Sequence, residues 1–157
     1  MSELLIGCGH KETWVKWLGM NQEKAWKDLT TLDINPNVGA DIVHNLEEVP
    51  YPFPDNHFDV VVASYVLTTV PDPVKVIHEL ARVTKPGGAV LIVNHFSVEN
   101  GLRGAIEKRL AKHASKLGWR PEFRYETLLA SERLRLASIK AVKPLGFFTM
   151  LEFRKLD

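Results

Sequence analysis

Four short groups of residues, each suited to chemistry at a strand end, stand in a fixed order along the 157-residue chain. An apolar run, Leu4-Leu5-Ile6, breaks into Gly7-Cys8-Gly9. A second run ends in Thr31-Leu32-Asp33-Ile34-Asn35-Pro36, and a third is Phe58-Asp59-Val60-Val61-Val62-Ala63-Ser64. Lys85-Pro86-Gly87-Gly88 introduces a fourth. A Gly-x-Gly turn lets the backbone bend sharply and lets a ligand approach where a Cβ would block it. Asp33 follows Gly7 by 26 residues. An acid so placed grips ribose hydroxyls in dinucleotide-type folds. Each charge-assisted hydrogen bond of that kind contributes roughly 1.5–3 kcal/mol. The competing reading of Asp33 is a turn acid ahead of Asn35-Pro36. The third glycine of a dinucleotide fingerprint would fall at Glu12, which disfavours a nicotinamide cofactor.

His95 and Phe96 close the fifth apolar run, at the sheet edge where open α/β folds bind ligands. A histidine there can orient an acceptor or take its proton, and it can equally be satisfied by nearby backbone. The remaining histidines, His10, His44, His57, His78 and His113, show no metal-ligand spacing, so no metal is expected. Cys8 reads as a small apolar filler in its turn. No Ser-His-Asp constellation is visible.

The elements that must position these residues follow from periodicity. Strands are predicted at Glu3–Ile6, Thr30–Ile34, Ala40–His44, Phe58–Ser64 and Ala89–Asn94. Helical segments are predicted over 11–19, 23–27 and 99–117, over Asp72–Thr84 with Asp72 as cap and Pro73 in the first turn, and over Tyr125–Ser131. Three prolines make Val49–Asp55 a loop. Leu134–Val142 and Gly146–Phe153 are close enough to pair antiparallel. Strands alternating with helices imply an α/β, doubly wound, mostly parallel sheet with a closing hairpin, in one domain over 1–157.

Composition fits a soluble, globular, cytoplasmic chain: 45% hydrophobic, 25% charged, one cysteine, no span-length apolar run and no signal peptide. The net charge of +1 hides an asymmetry. Residues 1–94 carry seven Lys and Arg against twelve Asp and Glu, and residues 95–157 carry thirteen against seven. The second half therefore suits an anionic partner, or simply presents a solvated basic face.

In their order, the four groups resemble the class I S-adenosylmethionine-dependent methyltransferases. The resemblance implies a Rossmann-like seven-stranded sheet in the order 3-2-1-4-5-7-6. It implies S-adenosylmethionine as cofactor, with S-adenosylhomocysteine as product. It implies binding residues Gly7, Cys8, Gly9, Asp33, Ile34, Asn45, Leu46, Ser64 and Tyr65, with Asn45 at the adenine and Ser64-Tyr65 near the sulfonium. His95 and Tyr65 are the catalytic candidates. The chain departs from that pattern at Leu5, where an acid is usual, and at Thr68-Thr69, where many relatives carry Glu-His.

Val93-Asn94-His95-Phe96-Ser97, residues 117–123 and residues 144–153 are similar to bacterial soluble phosphatidylethanolamine N-methyltransferases. That similarity implies an amine or other small acceptor, a phospholipid headgroup among them, with Tyr65, Phe96 and Trp119 as faces for an ammonium. The basic amphipathic segment 99–117 is a candidate for peripheral membrane contact, or packs on the sheet. Relatives of this kind carry a segment ahead of the first strand. Its absence here makes an exposed site, covered only by a partner chain, a second copy in a homodimer among them, or by an ordering loop, the expectation. A catalytically inactive, cofactor-binding partner subunit is the alternative. Nucleic acid is disfavoured, because Ser64-Tyr65-Val66-Leu67 stands where an amino-methylating Asn/Asp-Pro-Pro-aromatic motif would be.

Overall fold

A computed structural model describes residues 1–7, 28–94, 124–142 and 148–157. The helical segments expected over 11–19, 23–27 and 99–117 lie outside them. Seven strands form one sheet: β1 (Glu3–Ile6), β2 (Leu29–Asp33), β3 (Ile42–Val43), β4 (Phe58–Ser64), β5 (Thr84–Asn94), β6 (Leu134–Val142) and β7 (Phe148–Lys155). Their spatial order is β3-β2-β1-β4-β5-β7-β6. β1, β2, β3, β4 and β5 pair parallel, while β7 pairs antiparallel with both β5 and β6. This is the doubly wound sheet with a closing hairpin that the element spacing implied, in the strand order that the resemblance implied.

The centre of the sheet is apolar on both sides because its strands are. Leu4, Ile6, Leu32, Val61, Ala63, Val90 and Ile92 join the main core cluster on one face. Leu5 and Val62 bury against Leu29, Val60 and Leu91 on the other. The helix Pro73–Val83, α1, covers the first face. Pro73 sits in its first turn, where a missing N–H costs nothing, and Asp72 caps it by accepting from the Lys75 N–H at 3.0 Å. Val76, Ile77, Leu80, Ala81 and Val83 are its buried stripe. Each large aliphatic side chain so buried contributes roughly 1.5–3 kcal/mol.

The structure corrects several boundaries. The fifth strand begins at Thr84, directly after α1, rather than at Ala89. The residues between are accommodated as a bulge against β4, with Phe58 opposite Thr84 but Val60 opposite Ala89. Gly88 is required there, since a Cβ would lie 2.8 Å from the Lys85 carbonyl oxygen and 2.9 Å from that of Asp59. The third strand shrinks to two residues because Asp41 pairs through its side chain instead. Its carboxylate accepts from the Thr31 N–H at 2.8 Å and the Thr31 hydroxyl at 2.6 Å. β2 starts and stops one residue earlier than expected, at Leu29–Asp33. β7 runs on to Lys155. Tyr125–Ala130 is a 3-10 helix rather than an α-helix, and no side chain caps its start. Among the described residues, no helix is long and apolar enough to cross a membrane.

The proline-rich loop is fastened to α1 through two residues of that helix, Arg82 and Glu79. Arg82 meets Glu79 at 2.8 Å, and both side chains are largely buried. The Arg82 guanidinium also donates to the Phe53 and Tyr51 carbonyls and to Asp55, while the Glu79 carboxylate accepts from the Tyr51 N–H. Burial raises the Glu79 pKa, but the hydrogen bonds from Arg82 and Tyr51 outweigh it and hold the carboxyl below its ordinary value. A lowered folded-state pKa means stability that is complete above the unfolded value and lost as pH falls through the folded one. Arg82→Met should therefore cost roughly 2–4 kcal/mol at pH 7, because it strands a mostly buried carboxylate. The stability gap between wild type and Glu79→Gln should shrink as pH drops below about 4.3, the ordinary glutamate value. Urea denaturation between pH 3 and pH 7 measures both. A gap that is constant with pH would show that the carboxylate charge is not what anchors the loop.

Candidate functional site

The ends of β1 and β2, the loop after β3 and the turn after β4 meet around a cavity of about 190 Å³. Gly7, Asp33, Ile34, Asn45, Leu46 and Val66 are among its lining residues. It lies at the carboxyl edge of the parallel strands, where open α/β sheets bind ligands.

Gly7 sets how closely two walls approach. Its φ is +69°, and its N–H donates to the Leu32 carbonyl at 3.0 Å. A Cβ on Gly7 would collide with Val66 Cγ1 and lie 2.6 Å from the Ser64 carbonyl oxygen. The chain leaving β1 thus passes over the end of β4 with no room for a side chain. Ser64 serves this crossing. Fully buried, its hydroxyl stands 3.4 Å from the carbonyl oxygens of Ile6 and Gly7.

Asp33 ends β2 at the cavity wall. Its Oδ1 accepts from the Asn35 N–H at 2.9 Å, and its carbonyl accepts from the His44 N–H at 3.0 Å. The two readings of this acid are therefore compatible. The turn bond fixes the carboxylate in place, and an ionised carboxylate has about four acceptor positions. Asn35 in turn accepts from the Asn37 N–H and starts the 3-10 helix Pro36–Val38. Ile34 stands beside the acid with 62% of its surface exposed, an apolar plate on the cavity lip.

Asn45 and Leu46 form a further part of the wall. The Asn45 Oδ1 accepts from the Glu47 N–H at 3.1 Å, which holds the amide along the rim. Leu46 is buried, and its carbonyl accepts from the Tyr51 hydroxyl at 3.2 Å. Lys75 of α1 donates to the Glu47 carbonyl at 2.8 Å, and a His44 ring nitrogen lies 2.8 Å from that of Glu48. The rim is thus held from both sides.

The structure brings together Gly7, Asp33, Ile34, Asn45 and Leu46, but Ser64 and Tyr65 do not line the cavity. Tyr65 turns toward the hairpin. With φ +57°, it donates its N–H to the Val93 carbonyl at 2.8 Å. Its ring stands edge-on to Phe148, centroids 4.9 Å apart. Burial raises its hydroxyl pKa. Cys8, Gly9, His95, Phe96 and Trp119 lie outside the described residues. Glu47, Val66, Thr69 and Val70 line the cavity without having been foreseen. Their signal was weak: Thr69 closes the turn after β4 by donating its hydroxyl to the Val66 carbonyl at 2.7 Å, and a single threonine does not announce that. No group of three metal-ligating side chains occurs among the described residues.

Known proteins resemble this chain in sequence and in fold. A family model described as a methyltransferase domain matches residues 4–92. The chain is 43% identical over 103 residues to a phosphatidylethanolamine N-methyltransferase of Cereibacter sphaeroides, covering 66% of this chain and 51% of that protein. It is 39% identical over 69 residues to the ubiquinone/menaquinone biosynthesis C-methyltransferase UbiE of Bdellovibrio bacteriovorus, covering 43% of this chain and 29% of that one. The chain thus spans about half the length, or less, of these two relatives. A solved SAM-dependent methyltransferase from Methanosarcina mazei superposes with a TM-score of 0.65 at 20% identity, over 99% of this chain and 92% of its own, which shows a shared fold.

Replacing Gly7 tests the crossing. Gly7→Ala should cost at least about 2 kcal/mol, from the left-handed backbone and the collision with Val66 and the Ser64 carbonyl together. Chemical denaturation reads this. A variant as stable as wild type would show that the two turns can separate without penalty.

Proposed function

The chain belongs to the methyltransferase domain family, and from that membership we propose that it transfers a methyl group from S-adenosylmethionine to an amine on a small or lipid acceptor. The observation that carries the proposal is the convergence of Gly7, Asp33 and Asn45 on one cavity at the carboxyl edge of the sheet. The residues fit the cofactor. Only glycine fits at position 7, so backbone can stand close to a ligand there. Asp33 is the acid for the ribose hydroxyls, Ile34 an apolar surface for the adenine, and Asn45 a rim amide with acceptor and donor atoms for the base edge. When bound, S-adenosylmethionine supplies an electrophilic methyl on a sulfonium that a nucleophile takes by direct displacement.

This chain's own residues bind and orient. Asp33 is already fixed by the Asn35 N–H, so little side-chain entropy is lost when it accepts from a ligand. Holding two reactants in register supplies much of the acceleration in a reaction that needs no covalent enzyme intermediate. Tyr65 and Phe148 offer aromatic surface on the hairpin side of the same edge, suited to a methylated ammonium at roughly 0.5–2 kcal/mol if desolvated. The similarity to a phosphatidylethanolamine N-methyltransferase supports a phospholipid headgroup as acceptor. The excess of Lys and Arg in residues 95–157 supports an anionic surface as the place where it is met.

Asp33→Ala should weaken S-adenosylmethionine binding at least about tenfold, or 1.4 kcal/mol, the low end for a hydrogen bond to a charged group. Titration calorimetry measures it. Unchanged affinity would remove the ribose role, and absence of binding by wild type at millimolar ligand would remove the cofactor.

A further inference from the structure

Asn94 is the last residue of β5, at the same carboxyl edge, and has no exposed surface. Neither the oxygen nor the nitrogen of its carboxamide has a hydrogen-bond partner among the described residues. The Val93 carbonyl accepts from the Tyr65 N–H, and Thr149 of β7 stands opposite Asn94 in the antiparallel register. By strand alternation Asn94 shares the face of Val90 and Ile92, both in the main core cluster. Leucine or valine would suit such a position. An amide there carries the desolvation cost of two groups and returns nothing to the fold on its own. Native proteins keep such groups where a ligand or a water completes them.

Its location selects the ligand. Sheet order places Asn94 on β5, one strand beyond β4, and its side chain lies on the face of Val90 and Ile92, whose core cluster also holds Ile6, Leu32, Leu46 and Val70 of the cavity wall. A carboxamide oxygen accepts an N–H. A wholly buried amide can be reached only by a narrow polar group that enters the protein. We propose that Asn94 is the specificity residue for the acceptor: its side-chain oxygen receives the N–H of a small amine head, and it thereby favours amine over ring-carbon acceptors. This inference rests on the methyl-transfer reading above. A site built to hydrogen-bond a substrate discriminates steeply, because a substrate lacking the partner leaves the buried amide unpaired.

The test uses Asn94→Leu, which removes the amide at similar size, and Asn94→Asp, which keeps an accepting oxygen. Four quantities are measured on wild type and both variants: thermal midpoint, S-adenosylmethionine affinity by calorimetry, and transfer of radiolabelled methyl to phosphatidylethanolamine and to a reduced demethylmenaquinone, each in phosphatidylglycerol vesicles. Asn94→Leu should be at least as stable as wild type and bind the cofactor within about twofold. It should lose kcat/KM on the amine by roughly 10–100-fold, mainly through KM. Asn94→Asp should retain turnover within about tenfold. Wild-type turnover in Asn94→Leu overturns the inference. So does a large drop in its thermal midpoint, which would make the amide part of the fold. A wild type that binds cofactor yet methylates the quinone, or neither acceptor, overturns the role of Asn94 and leaves cofactor binding standing. A wild type that binds no cofactor overturns the methyl-transfer reading as well.

Discussion

Everything at the carboxyl edge depends on the two central parallel strands ending in step. β1 and β4 pair from Glu3 opposite Val60 to Ile6 opposite Ala63, so their exits leave the sheet side by side. Two chains cannot leave the same edge in the same direction unless one gives way. Gly7 is where that happens, with its left-handed backbone and no Cβ to meet Val66. The cavity between β2 and the turn after β4 exists because this crossing is tight. A looser turn would fill the space with its own side chain.

The opposite edge supplies rigidity instead. Ser2, Asp59 and Lys85 bind the starts of β1, β4 and β5 into one cluster, with the Asp59 carboxylate 2.9 Å from the Lys85 ammonium and 2.6 Å from the Ser2 N–H. The hydrogen bond from Lys85, followed by that from the Ser2 N–H, lowers the Asp59 pKa to about 2. The bulge at Lys85–Gly88 turns the chain straight from α1 into β5 without a separate loop. Charge fastens that end of the sheet, while the carboxyl edge is held by the close crossing at Gly7, by side-chain turns at Asp33, Asn35 and Asn45, and by Lys75 and His44 on the rim carbonyls.

Much of this was legible in the sequence, and the reason is periodicity. β1, β4 and β6 were bounded correctly because apolar runs and turn residues coincide there. The α1 stripe, with Asp72 and Pro73 before it, follows helix-start chemistry that acts within one turn. The α/β order and the antiparallel hairpin followed from the spacing of those elements. What local pattern could not show depends on residues distant in sequence. Asp41 substitutes for backbone pairing only because Thr31 lies on the neighbouring strand. Ser64, which the resemblance places near the sulfonium, ends β4 with its hydroxyl beside the carbonyls of Ile6 and Gly7. Tyr65 faces Phe148 across the sheet, a pairing 83 residues apart that no short window contains. The need of Asn94 for a partner is invisible until its burial is known.

The brevity of β3 has a consequence for how the molecule behaves in a crowded solution. An open sheet offers its outermost strands to any passing chain with free backbone donors and acceptors. On one side the outermost strand is two residues long, and Asp41 has already claimed the Thr31 N–H beside it. On the other, β6 is long but irregular, its register slipping between Leu136 and Ser138, with Arg135 and Lys140 exposed along it. Neither border gives a straight, uncharged template on which a foreign strand could grow. A sheet whose carboxyl edge carries an open cavity is thereby guarded at its flanks against templated self-association.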